Sequence, residues 1–535
     1  MVARPSLPNK PATEDRPLIG TRQRRLLVFG CCLSLGITSL DVTIVNVALP
    51  TLSRSLHTSL TGLQWVLDGY MLVLASLLVL SGSLGDRIGR RAVLRAGLVL
   101  FAIASLACSL APTVEWLVAF RVLQGIGAAA LVPNALSTLT NVITDPGDRA
   151  RAIGVWSAVF GIAAACGPIF GGLLVQGPGW RAIFYANLPI VAITLVLISR
   201  YAPETKAPRA RKIDVPGQLL ILLFMATATA GFIEAPTQGW TSAPILGLFA
   251  LALVALTAFI LAERRAVEPL IQLRFFANPP FSGAASIGTL AFAVFSGFLL
   301  LNTLYLQEVR GASPLSAGIE TLPAMVVMTF CAPIVGHVVA RRGSRGLLSA
   351  SGVLLAAGTV VLALEQPHSP YLVLAAAYVL IGLGMAFVNP PITHAAVSGM
   401  PAAQAGVASA IASSSRQFGN VLGVAVIGSI LTSLLVSRLT TLGHAAYLPL
   451  QTRHQLLVAA THGALLHAGA ASSQTRGLLD VAFVDASHAG WWLAGGLSCV
   501  IAVVGWTTSA RAAGPGAPGP ALPASSPGAG TLGGA

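Results

Sequence analysis

Asp41, Asp68 and Arg121 are charged residues that lie inside long apolar runs of this chain. A run of about 20 apolar residues can cross a bilayer, where a charged side chain costs about 2.5 to 3.5 kcal/mol and usually serves to move protons or ions. An acid stays ionised beside a base, and separating the two in a dry cavity favours protonation of the acid. We therefore predict a proton-coupling site in which Asp41 or Asp68 exchanges its proton against pairing with Arg121. The alternative for each acid is a satisfied polar contact between helices.

The composition indicates the surroundings of these residues. Hydrophobic residues make up 55% of the chain, charged residues only 9%, and the mean hydropathy is +0.79, whereas a soluble domain carries about 25% charged residues. We therefore expect a polytopic membrane protein. The net charge of +14 does not indicate nucleic-acid binding, because the Lys and Arg residues lie in short clusters between apolar runs, as in cytoplasmic loops. The six cysteines lie inside apolar runs and predict neither a disulfide framework nor a metal site.

The apolar runs predict an all-α membrane protein with fourteen transmembrane helices. Of the 32 Lys and Arg residues, 24 fall on the side of the N-terminal arm, 6 on the opposite side and 2 inside spans. The positive-inside rule therefore places both termini in the cytoplasm and the chain in the cell membrane. The predicted spans are residues 26–49, 62–84, 93–111, 115–139, 152–175, 182–199, 214–233, 245–262, 281–306, 315–339, 347–364, 371–396, 406–436 and 484–508.

Two segments recur along the chain at nearly the same offset. Residues 123–133 resemble residues 380–390, and residues 82–89 resemble residues 336–343, a copy that lacks the acid. This repeat predicts two pseudo-symmetric six-helix halves with two inserted helices, and a substrate site at their interface near the bilayer midplane. The expected parts are an N-terminal arm (1–25), an N-terminal half (26–199), a linker with the inserted helices (200–263), a C-terminal half (264–510) with a long external loop (438–488), and a disordered tail (511–535).

Five motifs occur along the chain in a fixed order. They are the first-helix segment 40–50, the loop 82–91, the fourth-helix segment 121–127, the fifth-helix segment 161–172, and Trp180 and Arg181 followed by Asn187 and Pro189. Together they resemble the motifs of the fourteen-span drug:proton antiporters of the major facilitator superfamily, over essentially the whole membrane domain. Asp41 matches the first-helix acid of that family, whereas Asp68 has no identified counterpart.

The loop 82–91, called the gating loop below, combines glycines for a tight turn with an acid and arginines that form breakable charge pairs. The resemblance implies that it holds one of two alternating states, although its arginines can instead serve only to orient the loop. Its predicted functional residues are Gly82, Asp86, Arg87, Gly89, Arg90 and Arg91.

The fifth helix carries closely spaced glycines and a proline, which let neighbouring backbones approach and permit a bend. The resemblance implies that they form an antiporter motif that seals the closed side and biases the carrier toward exchange. Close packing alone is the alternative. The residues are Gly161, Gly167, Pro168, Gly171 and Gly172.

Four polar residues are candidates for the substrate cavity: Asn46, Gln124, Glu320 and Arg416. Glu320, with Glu308 and Glu234, lies near outer helix ends, where the three acids can form a vestibule that attracts cations or can simply be solvated. Arg416 can hold a counter-charge or a substrate anion.

The chain has no Gly-x-x-x-x-Gly-Lys-Ser/Thr loop and no arrangement typical of catalysis, so we expect a gradient-driven protein that is not an enzyme and needs no cofactor. The resemblance implies proton-coupled export of small amphipathic or cationic compounds, as in drug or antibiotic efflux, by a monomer. Its expected partners are the substrate, protons and the lipid bilayer. The alternatives are an importer or uniporter on the same fold, and a non-transporting receptor that uses the external loop.

Overall fold

The computed structural model describes residues 21–206, 213–266, 268–397, 402–445 and 473–508. Within these residues, fourteen helical segments are long and apolar enough to cross a membrane, which confirms the predicted number. The helices are α1 (Thr21–Leu56), α2 (Leu60–Ile88), α3 (Arg90–Leu110), α4 (Val114–Val142), α5 (Pro146–Gln176), α6 (Ala182–Tyr185), α7 (Asn187–Tyr201), α8 (Val215–Gln238), α9 (Ala243–Arg265), α10 (Pro279–Leu304), α11 (Pro314–Glu320), α12 (Leu322–Arg342), α13 (Arg345–Leu362), α14 (Tyr371–Ala386), α15 (Asn389–Val397), α16 (Ala402–Ala445) and α17 (Ser473–Thr508).

Three spans that the sequence predicts as continuous helices are interrupted. The breaks separate α6 from α7, α11 from α12, and α14 from α15. Each break precedes a proline in the first turn of the following helix, namely Pro189, Pro323 and Pro390. Proline lacks an N–H group and its ring clashes with the preceding turn, so the helix stops there and restarts.

The helices form two six-span bundles, as predicted. The first contains α1 to α7 and the second contains α10 to α17, while α8 and α9 pack mainly on each other. Helix α8 also contacts one helix of each bundle: Gln218 Nε2 donates to the Ser76 carbonyl on α2 at 2.8 Å, and Ser429 Oγ on α16 donates to the Phe232 carbonyl at 2.5 Å. The inserted pair therefore lies across the boundary between the halves.

Helices α16 and α17 extend beyond the predicted limits of their spans. Helix α16 continues to Ala445 and α17 begins at Ser473, so both enter the segment 438–488 that the sequence assigns to an external loop. A helix keeps its backbone hydrogen bonds when it leaves the bilayer, and hydropathy does not register such a polar extension. Residues 446–472, the arm before Thr21 and the predicted tail 511–535 lie outside the described residues.

Contacts between the two halves concentrate at one face of the bundle. We call the face at which α1 ends and α2 begins the upper face, and the opposite one the lower face. Near the upper face, Gln307 Nε2 donates to the Val47 carbonyl at 2.9 Å, and Arg54 pairs with Glu308 at 3.2 Å. Both contacts join α1 to the π-helical turn Tyr305–Val309 that directly follows α10, so the described structure is closed at the upper face.

Candidate functional site

A buried ion pair joins the first and fourth membrane-spanning helices. Asp41 on α1 and Arg121 on α4 are both completely buried, and Arg121 Nη1 lies 2.5 Å from Asp41 Oδ2. A lone charge in apolar surroundings is costly, so each residue depends on the other. The structure thus pairs Arg121 with Asp41, which is one of the two acids that the sequence left open.

Further polar side chains surround this ion pair. Gln124 Nε2 and Asn187 Nδ2 both donate to Asp41 Oδ1, at 3.0 Å and 3.2 Å. Gln124 also accepts from Arg121 Nη1 at 2.8 Å and donates to Ser105 Oγ at 2.8 Å. The carboxylate therefore sits in a network that draws on α1, α3, α4 and α7, and a change of its charge is felt by all four helices.

The Arg121 guanidinium has additional contacts with α2. Its Nε donates to the Val66 carbonyl at 3.1 Å, and its central carbon lies 4.2 Å from the centre of the Tyr70 ring. Among the described residues, its Nη2 has no hydrogen-bond partner although it is buried. One donor of this group therefore remains available to a second acceptor.

Asp68 lies apart from this network. It is completely buried on α2, and neither carboxylate oxygen has a hydrogen-bond partner in the described part of the chain. One turn earlier, Gln64 Nε2 donates to the Val424 carbonyl of α16 at 3.0 Å. Residues four apart share a helix face, so Asp68 lies on the side of α2 that meets the C-terminal half.

The gating loop makes its contacts within the N-terminal half. Arg90 Nη2 pairs with Asp86 Oδ1 at 2.6 Å, and Arg91 Nη2 donates to the Ser199 carbonyl at the end of α7 at 2.6 Å. The turn requires Gly89, whose φ of 131° disfavours any residue with a side chain. The loop thus has the predicted acid–arginine pair, and its role as a latch stays a prediction.

The fifth-helix glycines meet both halves. Gly167 and Gly171 face α1, where a Cβ on Gly171 would lie 3.0 Å from Ile44 Cγ1. On the other side, a Cβ on Gly172 would lie 2.5 Å from Leu315 Cα on α11. The absence of side chains therefore lets α5 touch the C-terminal half by its backbone, as the sequence pattern suggests.

The predicted acidic vestibule is divided in the structure. Glu308 lines a cavity of about 500 Å³ at the upper face together with Arg54, and Glu234 Oε1 accepts from Trp65 Nε1 at 2.9 Å. Glu320 lies at the end of α11, where its main-chain carbonyl accepts from the Tyr371 hydroxyl at 3.0 Å. The three acids therefore do not line one cavity.

The two remaining cavity candidates lie on different halves. Asn46 is buried on α1, where its Nδ2 donates to the Val42 carbonyl at 2.8 Å and its Oδ1 has no partner among the described residues. Arg416 lies on α16, and its Nη2 donates to Ser413 Oγ at 2.8 Å. Neither joins the Asp41 network, whereas Gln124 is part of it.

The sequence profile of the Major Facilitator Superfamily matches residues 31–424. The chain is a member of the Major Facilitator Superfamily. This facilitator is 39% identical over 396 residues to the methylenomycin A resistance protein of Streptomyces coelicolor. The aligned residues cover 74% of this chain and 83% of that relative. It is 39% identical to the multidrug resistance protein Stp of Mycobacterium tuberculosis, over 78% of each chain. It is also 40% identical to the tetracenomycin C resistance and export protein of Streptomyces glaucescens, over 74% and 73% of the two chains.

Solved facilitator structures share the fold. An inward-facing, unoccupied bacterial homologue of the human lysosomal transporter Spinster matches with a TM-score of 0.64 and 16% identity, over 92% of this chain and 100% of that one. A D-xylose–proton symporter matches with a TM-score of 0.61 and 14% identity, over 90% and 97% of the two chains. At such identities these structures support the fold alone.

Sequence reasoning did not place three members of the Asp41 network in the site. Asn187 belongs to a recognised motif, and that motif was the available signal for it. Ser105 and Tyr70 lie in apolar helices with no pattern that distinguishes them from packing residues. Their roles follow from contacts between helices that are far apart in the sequence.

Proposed function

We propose that this facilitator exports small amphipathic compounds of the antibiotic or drug type in exchange for protons. Its relatives are named as resistance, multidrug resistance and export proteins, which supports drug efflux. The single observation that carries proton coupling is the buried Asp41–Arg121 pair and its network. The protein belongs to the membrane, and we place both termini on the cytoplasmic side, which makes the lower face cytoplasmic.

Protonation of Asp41 removes the charge that holds Arg121. The pair then loses its electrostatic attraction, and the guanidinium is free to seek another acceptor. Because the network links α1, α3, α4 and α7, this change alters packing across the N-terminal half. A proton that binds at one face and leaves at the other therefore shifts the equilibrium between the two alternating states of the carrier.

Asp68 supplies a second proton site in this scheme. An ionised carboxylate that is buried without a partner is costly, so Asp68 holds a proton while the upper face is closed. Its position on the side of α2 that meets α16 ties that proton to the contact between the halves. Transport uses the proton gradient and no cofactor, and the carrier acts as a monomer.

Reconstituted vesicles with an imposed pH gradient test this proposal. We expect the wild type to accumulate a fluorescent amphipath against its concentration gradient, and Asp41→Asn to lose that accumulation because Asn does not exchange a proton. Glu115→Gln, which alters an exposed acid in the first turn of α4, is the matched control and should transport like the wild type. Gradient-driven accumulation by Asp41→Asn at the wild-type level contradicts the role of Asp41, and equilibration without accumulation in the wild type indicates a uniporter.

A further inference from the structure

Arg416 lies deep in the membrane between three helices of the C-terminal half. It is on α16, where Phe418, two residues further on, contacts Phe224 of α8 with ring centres 6.0 Å apart. The Cγ atom of Arg416 lies 3.5 Å from the position that a Cβ on Gly288 of α10 would occupy. Ile392 of α15 also lies next to that position, at 3.8 Å. Gly288 is about 14 Å above the lower end of α10 at 1.5 Å per residue. A guanidinium that faced lipid at this depth would be costly, so it belongs to the protein interior.

Among the described residues, no acid forms an ion pair with Arg416. Within the same part of the chain, the structure gives it one hydrogen bond, to Ser413 Oγ. A guanidinium has five N–H donors, and this side chain is partly exposed, so donors are open to a ligand. Arg121, by contrast, is fully buried and neutralised by Asp41.

Neighbouring residues add to this donor-rich surface. Ser413 precedes Arg416 by one turn, and Gln417 and Asn420 follow it on the same side of α16. Asn420 Nδ2 donates to Gln417 Oε1 at 2.9 Å. This bond occupies the acceptor of the Gln417 amide and leaves Gln417 Nε2 as a donor. Donors of this kind around an arginine are typical of sites for carboxylate and other oxyanion groups.

We propose that Arg416 binds an anionic group of the transported compound, so that this carrier prefers amphipathic acids, such as carboxylates, sulfonates or phenolates, to cations. The inference rests on the proposed function, in which Asp41 and Arg121 cancel and Asp68 holds a proton. Arg416 then supplies the one unbalanced charge among these membrane residues. A substrate that carries the counter-charge is attracted to it, and a cation is repelled.

Two dyes that share a xanthene scaffold but differ in charge test this preference: fluorescein, an anion, and rhodamine 123, a cation. Binding of each dye to the purified full-length protein is measured by fluorescence anisotropy. We expect the wild type to bind fluorescein more tightly than rhodamine 123. Arg416→Gln should weaken fluorescein binding by about tenfold or more, and Arg416→Lys should retain most of it because the positive charge remains. Arg151→Gln, which removes an exposed arginine with an 84% exposed side chain, is the charge-matched control and should bind like the wild type.

A competition measurement needs no variant and covers the case in which Arg416→Gln does not fold. Benzenesulfonate should displace fluorescein from the wild type, and phenyltrimethylammonium, of similar size and opposite charge, should not. Three results would each overturn the inference. They are equal displacement by both compounds, no binding of fluorescein to the wild type, and fluorescein binding that is unchanged in Arg416→Gln. Arg416-dependent binding without gradient-driven transport of either dye sustains the inference and refutes the proposed function instead.

Discussion

At the scale of single residues, the membrane domain holds its charges in three different ways. Asp41 and Arg121 neutralise each other. Among the described residues, Asp68 has no hydrogen-bond partner, and Arg416 has one, the Ser413 hydroxyl. Because a charge inside a bilayer is tolerated only with a partner or a proton, these differences assign different tasks. The pair suits switching, the lone acid suits proton storage, and the lone arginine suits recognition of an anion.

Glu365 carries a residue-scale prediction about pH and stability. It lies in the turn between α13 and α14, where its side chain is 2% exposed and Trp491 Nε1 donates to its Oε1 at 3.2 Å. Burial raises the pKa of this carboxyl from 4.5 to about 8, and neighbouring Arg310 opposes the shift. Between these two pH values the folded state holds a proton that the unfolded state has lost, so the free energy of unfolding falls as pH rises through this window.

Glu365→Gln should remove this dependence, because the amide keeps an acceptor for Trp491 and does not titrate. The measurement is the apparent melting temperature of purified protein at pH 5 and at pH 8.5. We expect the wild type to lose more stability than Glu365→Gln over this interval, while the exposed-acid variant Glu115→Gln follows the wild type. Parallel pH profiles for wild type and Glu365→Gln would show that this carboxyl does not titrate as described.

At the scale of elements, the backbones of α5 and α11 contact each other near the upper face. A Cβ on Gly172 would lie 2.5 Å from Leu315 Cα, and a Cβ on Gly318 would collide with the Pro168 carbonyl. These are contacts between main chains, so a side chain at either glycine separates the helices instead of rotating away. The glycines that the sequence singles out thus allow main-chain contact between the two halves, and their role as a seal stays a prediction.

Gly172→Ala should therefore disfavour the state that is closed at the upper face. We expect a destabilisation of about 1 to 3 kcal/mol, as for overpacked cores, and loss of most gradient-driven transport. Gly154→Ala is the matched control on the same helix, because nothing lies within 4 Å of a Cβ at that position. Transport rate and melting temperature are measured together, and wild-type transport by Gly172→Ala would refute the seal.

At the scale of the whole molecule, the distribution of charge predicts the orientation in the membrane. The side of the N-terminal arm holds 24 of the 32 Lys and Arg residues. Tags at the two termini should therefore be protected from added antibody or protease in intact cells and become accessible after permeabilisation. A tag inserted between residues 446 and 472 should be accessible in intact cells. If a terminal tag is accessible in intact cells instead, the proposed orientation and the direction of export are wrong.

The inserted pair α8 and α9 adds a contact between the two halves, because α8 is bonded to one helix of each. Helix α8 is bonded to α2 through Gln218 and to α16 through the Phe232 carbonyl. It therefore spans two helices that move relative to each other in an alternating-access carrier. The sequence shows that two helices are inserted, but only the contacts show where they lie.

The sequence by itself determined the number of membrane spans, the division into two halves and the motifs of the family. These features are local, because hydropathy and helix-breaking residues act over one span at a time. Prediction failed where a span was interrupted at a proline or a helix left the bilayer, since apolar character alone reports neither event.

The tertiary structure alone decided which acid faces Arg121. Asp41 and Asp68 both lie in apolar helices at similar depth, and nothing in the spacing of residues reveals the rotation of one helix against another. That rotation is set by packing across the bundle, which brings residues 80 to 146 positions apart to the same carboxylate. Packing joins Asp41 to Arg121, Gln124 and Asn187 and leaves Asp68 against the other half, because each helix buries the face that fits its neighbours.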